Sequence, residues 1–152
     1  MSVSTPNLFS CRLIAVVIAG REVLMVRKRH TGLWDLPGGD LRVGEHPEAG
    51  IRRIVESDSS TVVAITGLVG IYNRSTPRLS LVFGATPIVG PIRPGPEVIE
   101  CDWVDVDQIY RILPASAGQY VTDAFLPVAS RPVVGMPRDT RTHPLNQTVQ
   151  AP

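Results

Sequence analysis

Between Trp34 and Glu45 the chain reads Trp-Asp-Leu-Pro-Gly-Gly-Asp-Leu-Arg-Val-Gly-Glu. This stretch constrains the fold more than any other. It must pass from an extended lead-in, Leu33 to Pro37, through the Gly38-Gly39 pair to the start of a helix. Glycine lets the backbone approach a neighbour closely and enter positive φ, so a Gly-Gly turn is expected. The helix is expected to begin near His46-Pro47-Glu48, with His46 as its cap. Proline suits the first turn, where its missing N–H goes unused, and Glu48 suits the positive end of the helix dipole. Ala49 and Gly50 form a flat patch for close packing, at a propensity cost of about 1 kcal/mol for the glycine. The helix should run to about Ser57, and Asp58-Ser59-Ser60 should stop it.

Around this centre the pattern is strand-rich. Residues 12–19 read as a buried strand, Gly20-Arg21-Glu22 as a tight turn and Val23 to Lys28 as the returning strand of a hairpin. Thr61 to Tyr72, Arg78 to Thr86 and Ile99 to Val104 read as further strands, with Pro87 to Pro96 as a Pro/Gly loop. Val106 to Leu113, opened by Asp105, and Ala117 to Leu126 read as short helices. Strands and helices mix without regular βαβ alternation, so a mixed sheet flanked by helices, of the α+β or sandwich kind, is expected. Residues 1–130 are expected to form one domain, and residues 131–152, polar and proline-dotted, a flexible tail or partner-binding arm.

The loop also suggests chemistry. A loop carbonyl can ligate a hard cation, and carboxylates at Glu45 and at three- and four-residue spacing on the helix would face one point. Magnesium takes oxygen ligands together with substrate phosphates, so such a cage could hold a diphosphate and activate water against it. At this point the chain resembles the Nudix superfamily. The box of that family runs Gly, five residues, Glu, seven residues, Arg-Glu-aliphatic, one residue, Glu-Glu, one residue, Gly, aliphatic. Here Gly39, Glu45, Arg53 and Val55 fall on its positions, and Trp34, Leu36, Pro37 and Gly38 match the usual lead-in. The likeness covers roughly residues 12–126. It implies an α/β/α sandwich with a mixed central sheet and the box as loop-helix-loop. It also implies Mg²⁺ or Mn²⁺ held by Glu45 and Asp58, substrate contacts from Gly38, Gly39 and the basic Arg27 and Arg29, and catalytic roles for Glu45, Arg53 and either Glu97 or Glu100.

The departures lie in the helix. Ile54 stands where the box has Glu, Ser57-Asp58 where it has Glu-Glu, and Ser60 where it has Gly. Isoleucine can neither ligate nor accept a proton. Glu56 lies about 100° round the helix from its neighbours and is expected to pair with Arg52 or Arg53 instead. Glu45 could be a ligand or could brace the loop against Arg53. Glu97 and Glu100 could be surrogate bases or solvated residues, and Asp40 a loop ligand or a turn residue. The run Arg27-Lys28-Arg29-His30 could attract phosphate or merely end a strand. Tyr72-Asn73-Arg74 could line a cleft, and Trp34 and Trp103 are expected to pack rather than stack on bases.

Composition narrows the partners. Net charge is +1 and aromatics make up 5% of the 152 residues, which argues against a nucleic-acid surface or an anionic membrane partner. The longest apolar run, Leu13 to Ala19, is too short to span a bilayer, and the polar start does not resemble a signal peptide, which points to the cytoplasm. Cys11 and Cys101 are expected as buried thiols. The expected ligand is a small nucleotide-like or diphosphate molecule, with a homodimer left open. Three functions stand: a weak metal-dependent hydrolase of nucleoside-diphosphate-linked substrates, a non-hydrolytic binding or regulatory protein, and a scaffold turned to other, biosynthetic chemistry.

Overall fold

The computed structural model describes residues 10–75 and 78–131. The tail expected over residues 131–152 lies outside the described residues beyond Arg131. Among these described residues, seven strands form the centre: β1 Ser10–Ala19, β2 Glu22–Lys28, β3 Trp34–Asp35, β4 Gly38–Asp40, β5 Val62–Ser75, β6 Arg78–Val89 and β7 Val98–Asp105. Three helices among the described residues surround them: α1 Pro47–Ser59, α2 Val106–Ile112 and α3 Ala115–Phe125, with a 3₁₀ turn at Val128–Ser130. The main order is β3-β2-β1-β6-β5, with β4 added to β1 and β7 to β2. The β1–β6 pairing is parallel and the others are antiparallel, so the sheet is mixed as expected.

The continuous apolar run of β1 follows from its place in the middle. Successive side chains of a strand point to opposite faces. Leu13, Ala15 and Val17 join Ile51, Ile54 and Val55 of α1 on one face. Ile14 and Val16 join Ala117, Tyr120 and Val121 of α3 on the other. A strand covered on both faces has no solvent side, and the result is an α/β/α sandwich. Tyr72 and Asp123 tie α3 to β5 through a buried 2.7 Å hydrogen bond from the phenol hydroxyl to the carboxylate.

Three local expectations change. The hairpin of β1 and β2 is real but its direct pairing is short, Ile18↔Val23 and Ala19↔Glu22, because most of β1 pairs with β6 and β4. Gly38-Gly39 is not a turn. Both residues lie in β4, opposite Ile14 and Leu13, and the positive φ of the region falls at Gly44. Gly38 is needed for closeness: a Cβ there would stand 3.0 Å from the Leu13 carbonyl oxygen. The loop expected over Pro87–Pro96 starts later, since β6 continues to Val89.

The remainder of that loop closes the end of α1. Arg93 and Gly95 donate backbone hydrogen bonds to the carbonyls of Ser59 and Asp58, which would otherwise lack helical partners. A side chain at residue 95 would run into the Ser57 carbonyl. His46 caps the other end, its Nδ1 accepting from the Glu48 N–H at 3.3 Å, and Ser60 ends the helix in the left-handed region at φ 62°.

Candidate functional site

The start of α1 holds Glu45 in place. Arg53 lies two turns along the helix and reaches back, donating to both carboxylate oxygens at 2.7 and 2.9 Å. Arg53 also donates to the Asp40 carbonyl, and the Arg42 N–H to Glu45 Oε1. This bidentate clamp and the Arg42 hydrogen bond hold the Glu45 carboxyl down at about 2, against an ordinary 4.5, and raise Arg53 in turn. A base so depressed is a weak proton acceptor near neutrality. Of the two roles open to Glu45, its hydrogen bonds are those of a brace for the loop.

Because the carboxyl titrates lower in the folded chain than in the unfolded one, its contribution to stability is full above about pH 4.5 and is lost as pH falls towards about 2. Urea midpoints taken from about pH 6 to about pH 2 should therefore fall more steeply for the wild type than for Glu45→Gln. Parallel profiles would rule the clamp out as an acid-sensitive brace.

At the other end of α1, Asp58 is buried and meets Lys28. The ammonium donates to Asp58 Oδ2 at 2.7 Å and to the Gly38 carbonyl at 3.1 Å, and each side chain is 9% exposed. Lys28 reaches this point because it shares the α1 face of β2 with Leu24, by strand alternation. The sequence placed it only in a basic cluster. Its parity with Leu24 is the signal that would have singled it out.

The neighbouring basic residues serve the framework. Arg27 donates to the Gly32 carbonyl and sits 3.9 Å from Glu100. Arg29 donates through Nε to the Pro96 carbonyl and through its backbone N–H to that of Glu97, pinning the loop that closes α1. Glu97 and Glu100 are both exposed; Glu97 belongs to the docked loop, whereas Glu100 lies along β7. Ile54 is buried against the Gly39 side of β4, and Ser57 is exposed. Glu56 is exposed, while Arg52 pairs with Glu48 and Arg53 with Glu45 rather than with it. Cys11 and Cys101 are half-buried rather than fully buried, and burial pushes both thiols up.

These side chains do not fit a divalent-metal cage. The two carboxylates expected to share a cation are tied to different protein cations, Glu45 to Arg53 and Asp58 to Lys28. The Gly38 carbonyl, one of those in this stretch that could have supplied a further oxygen, is taken by the same ammonium as Asp58. Among the described residues no group of three His, Cys, Asp or Glu side chains is placed to hold a metal ion.

Two adjoining clefts open on the α3 side and share Asp35 and Ala117. One, of about 460 Å³, is lined by Arg27, Thr31, Trp34 and Ile112 among others. The other, of about 420 Å³, is lined by Arg12, Arg78, Ser80 and Tyr120 among others. Such volumes suit a small molecule. Arg12 also lies beside β4, its Nη2 3.3 Å from the position of a Cβ on Gly38. Arg12 and Arg78 were missed in the sequence; they share a face because β1 and β6 run parallel in register, Ser10↔Arg78 and Arg12↔Ser80.

Comparison with known proteins agrees with the architecture. A profile of the NUDIX domain matches residues 11–124. A MutT-like protein of Streptomyces ambofaciens is 33% identical over 109 residues, covering 70% of each chain. An ADP-ribose pyrophosphatase of Methanocaldococcus jannaschii is 22% identical over 105 residues, covering 64% of this chain and 62% of its own. The crystal structure of an ADP-ribose pyrophosphatase from Streptococcus suis superposes with a TM-score of 0.70 at 16% identity, over 83% of this chain and 98% of that one.

Proposed function

The chain belongs to the NUDIX domain family, and on that premise we propose that it binds the diphosphate of a nucleotide-like small molecule and hydrolyses the phosphoanhydride bond slowly. The observation that carries the binding is the cleft in which Arg12 and Arg78 stand together beside Gly38. Two guanidiniums offer fixed, planar donors to phosphate oxygens. The relatives named as pyrophosphatases support a phosphoanhydride as the bond at issue. Slow turnover follows from the helix, where Ile54 and Ser57 leave the usual carboxylate positions empty of bases and Glu45 is clamped. Of the surrogate bases, Glu100 is favoured over Glu97, because it sits 3.9 Å from Arg27, which lines the adjoining cleft, whereas the loop of Glu97 docks on α1 across the sheet.

Calorimetric binding of ADP-ribose and of nucleoside triphosphates, followed by assays of product release with Mg²⁺ or Mn²⁺ supplied, tests both halves. Arg12→Ala or Arg78→Ala should weaken binding about tenfold or more. Glu100→Gln should lower the residual rate by about 10² or more, and Glu97→Gln should not. Binding unaffected by either arginine removes the proposed cleft. Arginine-dependent binding without any release above background moves the assignment to a non-hydrolytic binding protein, which the Lys28–Asp58 and Arg53–Glu45 pairings favour.

A further inference from the structure

The Asp58 carboxylate, on which the family resemblance places a divalent cation, and the Gly38 carbonyl, which could have ligated one, converge instead on one protein atom, Lys28 Nζ. The arrangement is built rather than incidental. Lys28 leaves β2 at the register shift opposite β7, where Arg27 pairs with Glu100 and Lys28 with Val98. The backbone of Lys28 is fixed as well, its N–H donating to Leu33 and its carbonyl accepting from Gly32. Asp58 is held on the last turn of α1 by the docked loop, whose Gly95 N–H donates to its carbonyl. Both side chains are out of water, so the pair cannot be exchanged for hydration at low cost.

We infer that Lys28 is the resident cation of this site: its ammonium takes the seat of a divalent metal and makes the chain indifferent to metal ions. The charge balance supports this. One buried carboxylate is neutralised by one buried ammonium, and a further cation placed at the same oxygens would face the ammonium within contact distance. Glu45 cannot offset that repulsion while both its oxygens serve Arg53. The seat itself persists, since the Asp58 carboxylate and the Gly38 carbonyl still point at one spot. Lys28→Glu should therefore create a metal site, by setting two carboxylates and a carbonyl where one ammonium stood.

The test uses Mn²⁺ alone, without nucleotide, so it is decided independently of whether the cleft binds a diphosphate. Free Mn²⁺ is followed by electron paramagnetic resonance, and melting is followed in Mn²⁺ and in EDTA. Wild type should show the same melting temperature in both and no stoichiometric Mn²⁺ site. Lys28→Glu should melt lower in EDTA, recover on adding Mn²⁺ and bind one Mn²⁺ at least tenfold tighter than wild type, with the gain lost in Lys28→Glu/Asp58→Asn. A wild type that binds one Mn²⁺ and loses it in Asp58→Asn overturns the inference, as does a folded Lys28→Glu that gains no Mn²⁺ affinity. If Lys28→Glu does not fold in either condition, the wild-type titration and its Asp58→Asn control decide alone.

Discussion

Lys28→Met and Asp58→Asn are each expected to cost about 3–5 kcal/mol of folding stability, since removing one partner leaves the other buried without its counter-charge. For a domain of this size that is a fall in melting temperature of about 6–20 °C, at about 2–4 °C per kcal/mol. The double variant Lys28→Met/Asp58→Leu should recover most of the loss. It removes both charges together, and well-packed apolar replacements of a buried pair are often neutral. The strong non-additivity is the diagnostic result, because two residues joined by a 2.7 Å bond must couple. Chemical denaturation of the four proteins measures it. Additive losses, or single variants within about 0.5 kcal/mol of wild type, would mean that water already screens the pair and that its burial has no energetic weight.

The second large effect concerns Ile54. Its alignment with a carboxylate position raises the question of whether this residue is a damaged part of the site or a part of the core. At 4% exposure, packed with Leu13, Ile51 and Val55, it belongs to the core. Ile54→Val should cost about 0.5–1.5 kcal/mol, the usual loss for one buried methyl group. Ile54→Glu should cost about 3 kcal/mol or more, because it loses apolar burial and places a carboxylate out of water. A buried carboxyl is easier to keep neutral, so its folded pKa is raised. The deficit relative to wild type is then largest above that raised folded value, shrinks as pH falls from it towards the unfolded value of about 4.3, and loses its ionisation part below about 4. Denaturation of the three proteins near neutrality and near pH 4, as an approximate pair of conditions, checks both sign and size. An Ile54→Glu variant as stable as wild type that gains Mn²⁺-dependent turnover would show instead that residue 54 opens onto a usable ligand position.

Local chemistry accounts for what was legible beforehand. The start of α1 follows from Pro47, Glu48 and the His46 cap, all of which act within a few residues of it, whereas its end lies at Ser59 rather than at about Ser57. The mixed architecture follows from apolar runs long enough for strands and from the absence of regular alternation between strands and helices. The family resemblance follows from the spacing of Gly39, Glu45 and Arg53, a helix-borne arginine whose reach back to the loop is set by helical pitch. Even the loss of carboxylates at Ile54 and Ser57 is visible as residue identity alone.

Partners brought together from distant strands were not legible in that way. Gly38-Gly39 read as a turn because its glycines are locally permissive, yet β1 recruits them into a strand through hydrogen bonds no local rule foresees. Arg27, Lys28 and Arg29 are equivalent as a run of charges, but strand alternation and the docking of the 90–97 loop separate them. One faces Gly32 and Glu100, one is buried on Asp58 and one staples Pro96 and Glu97. Arg12 and Arg78 share a cleft only because β1 and β6 align in parallel. By itself, then, the sequence determined most of the elements, the superfamily and the missing carboxylates, since these depend on residue type and short spacing. The tertiary structure decided which cation each remaining acid holds, since a charge selects its partner by distance in space and Lys28 and Asp58 meet only after the sheet and α1 have packed.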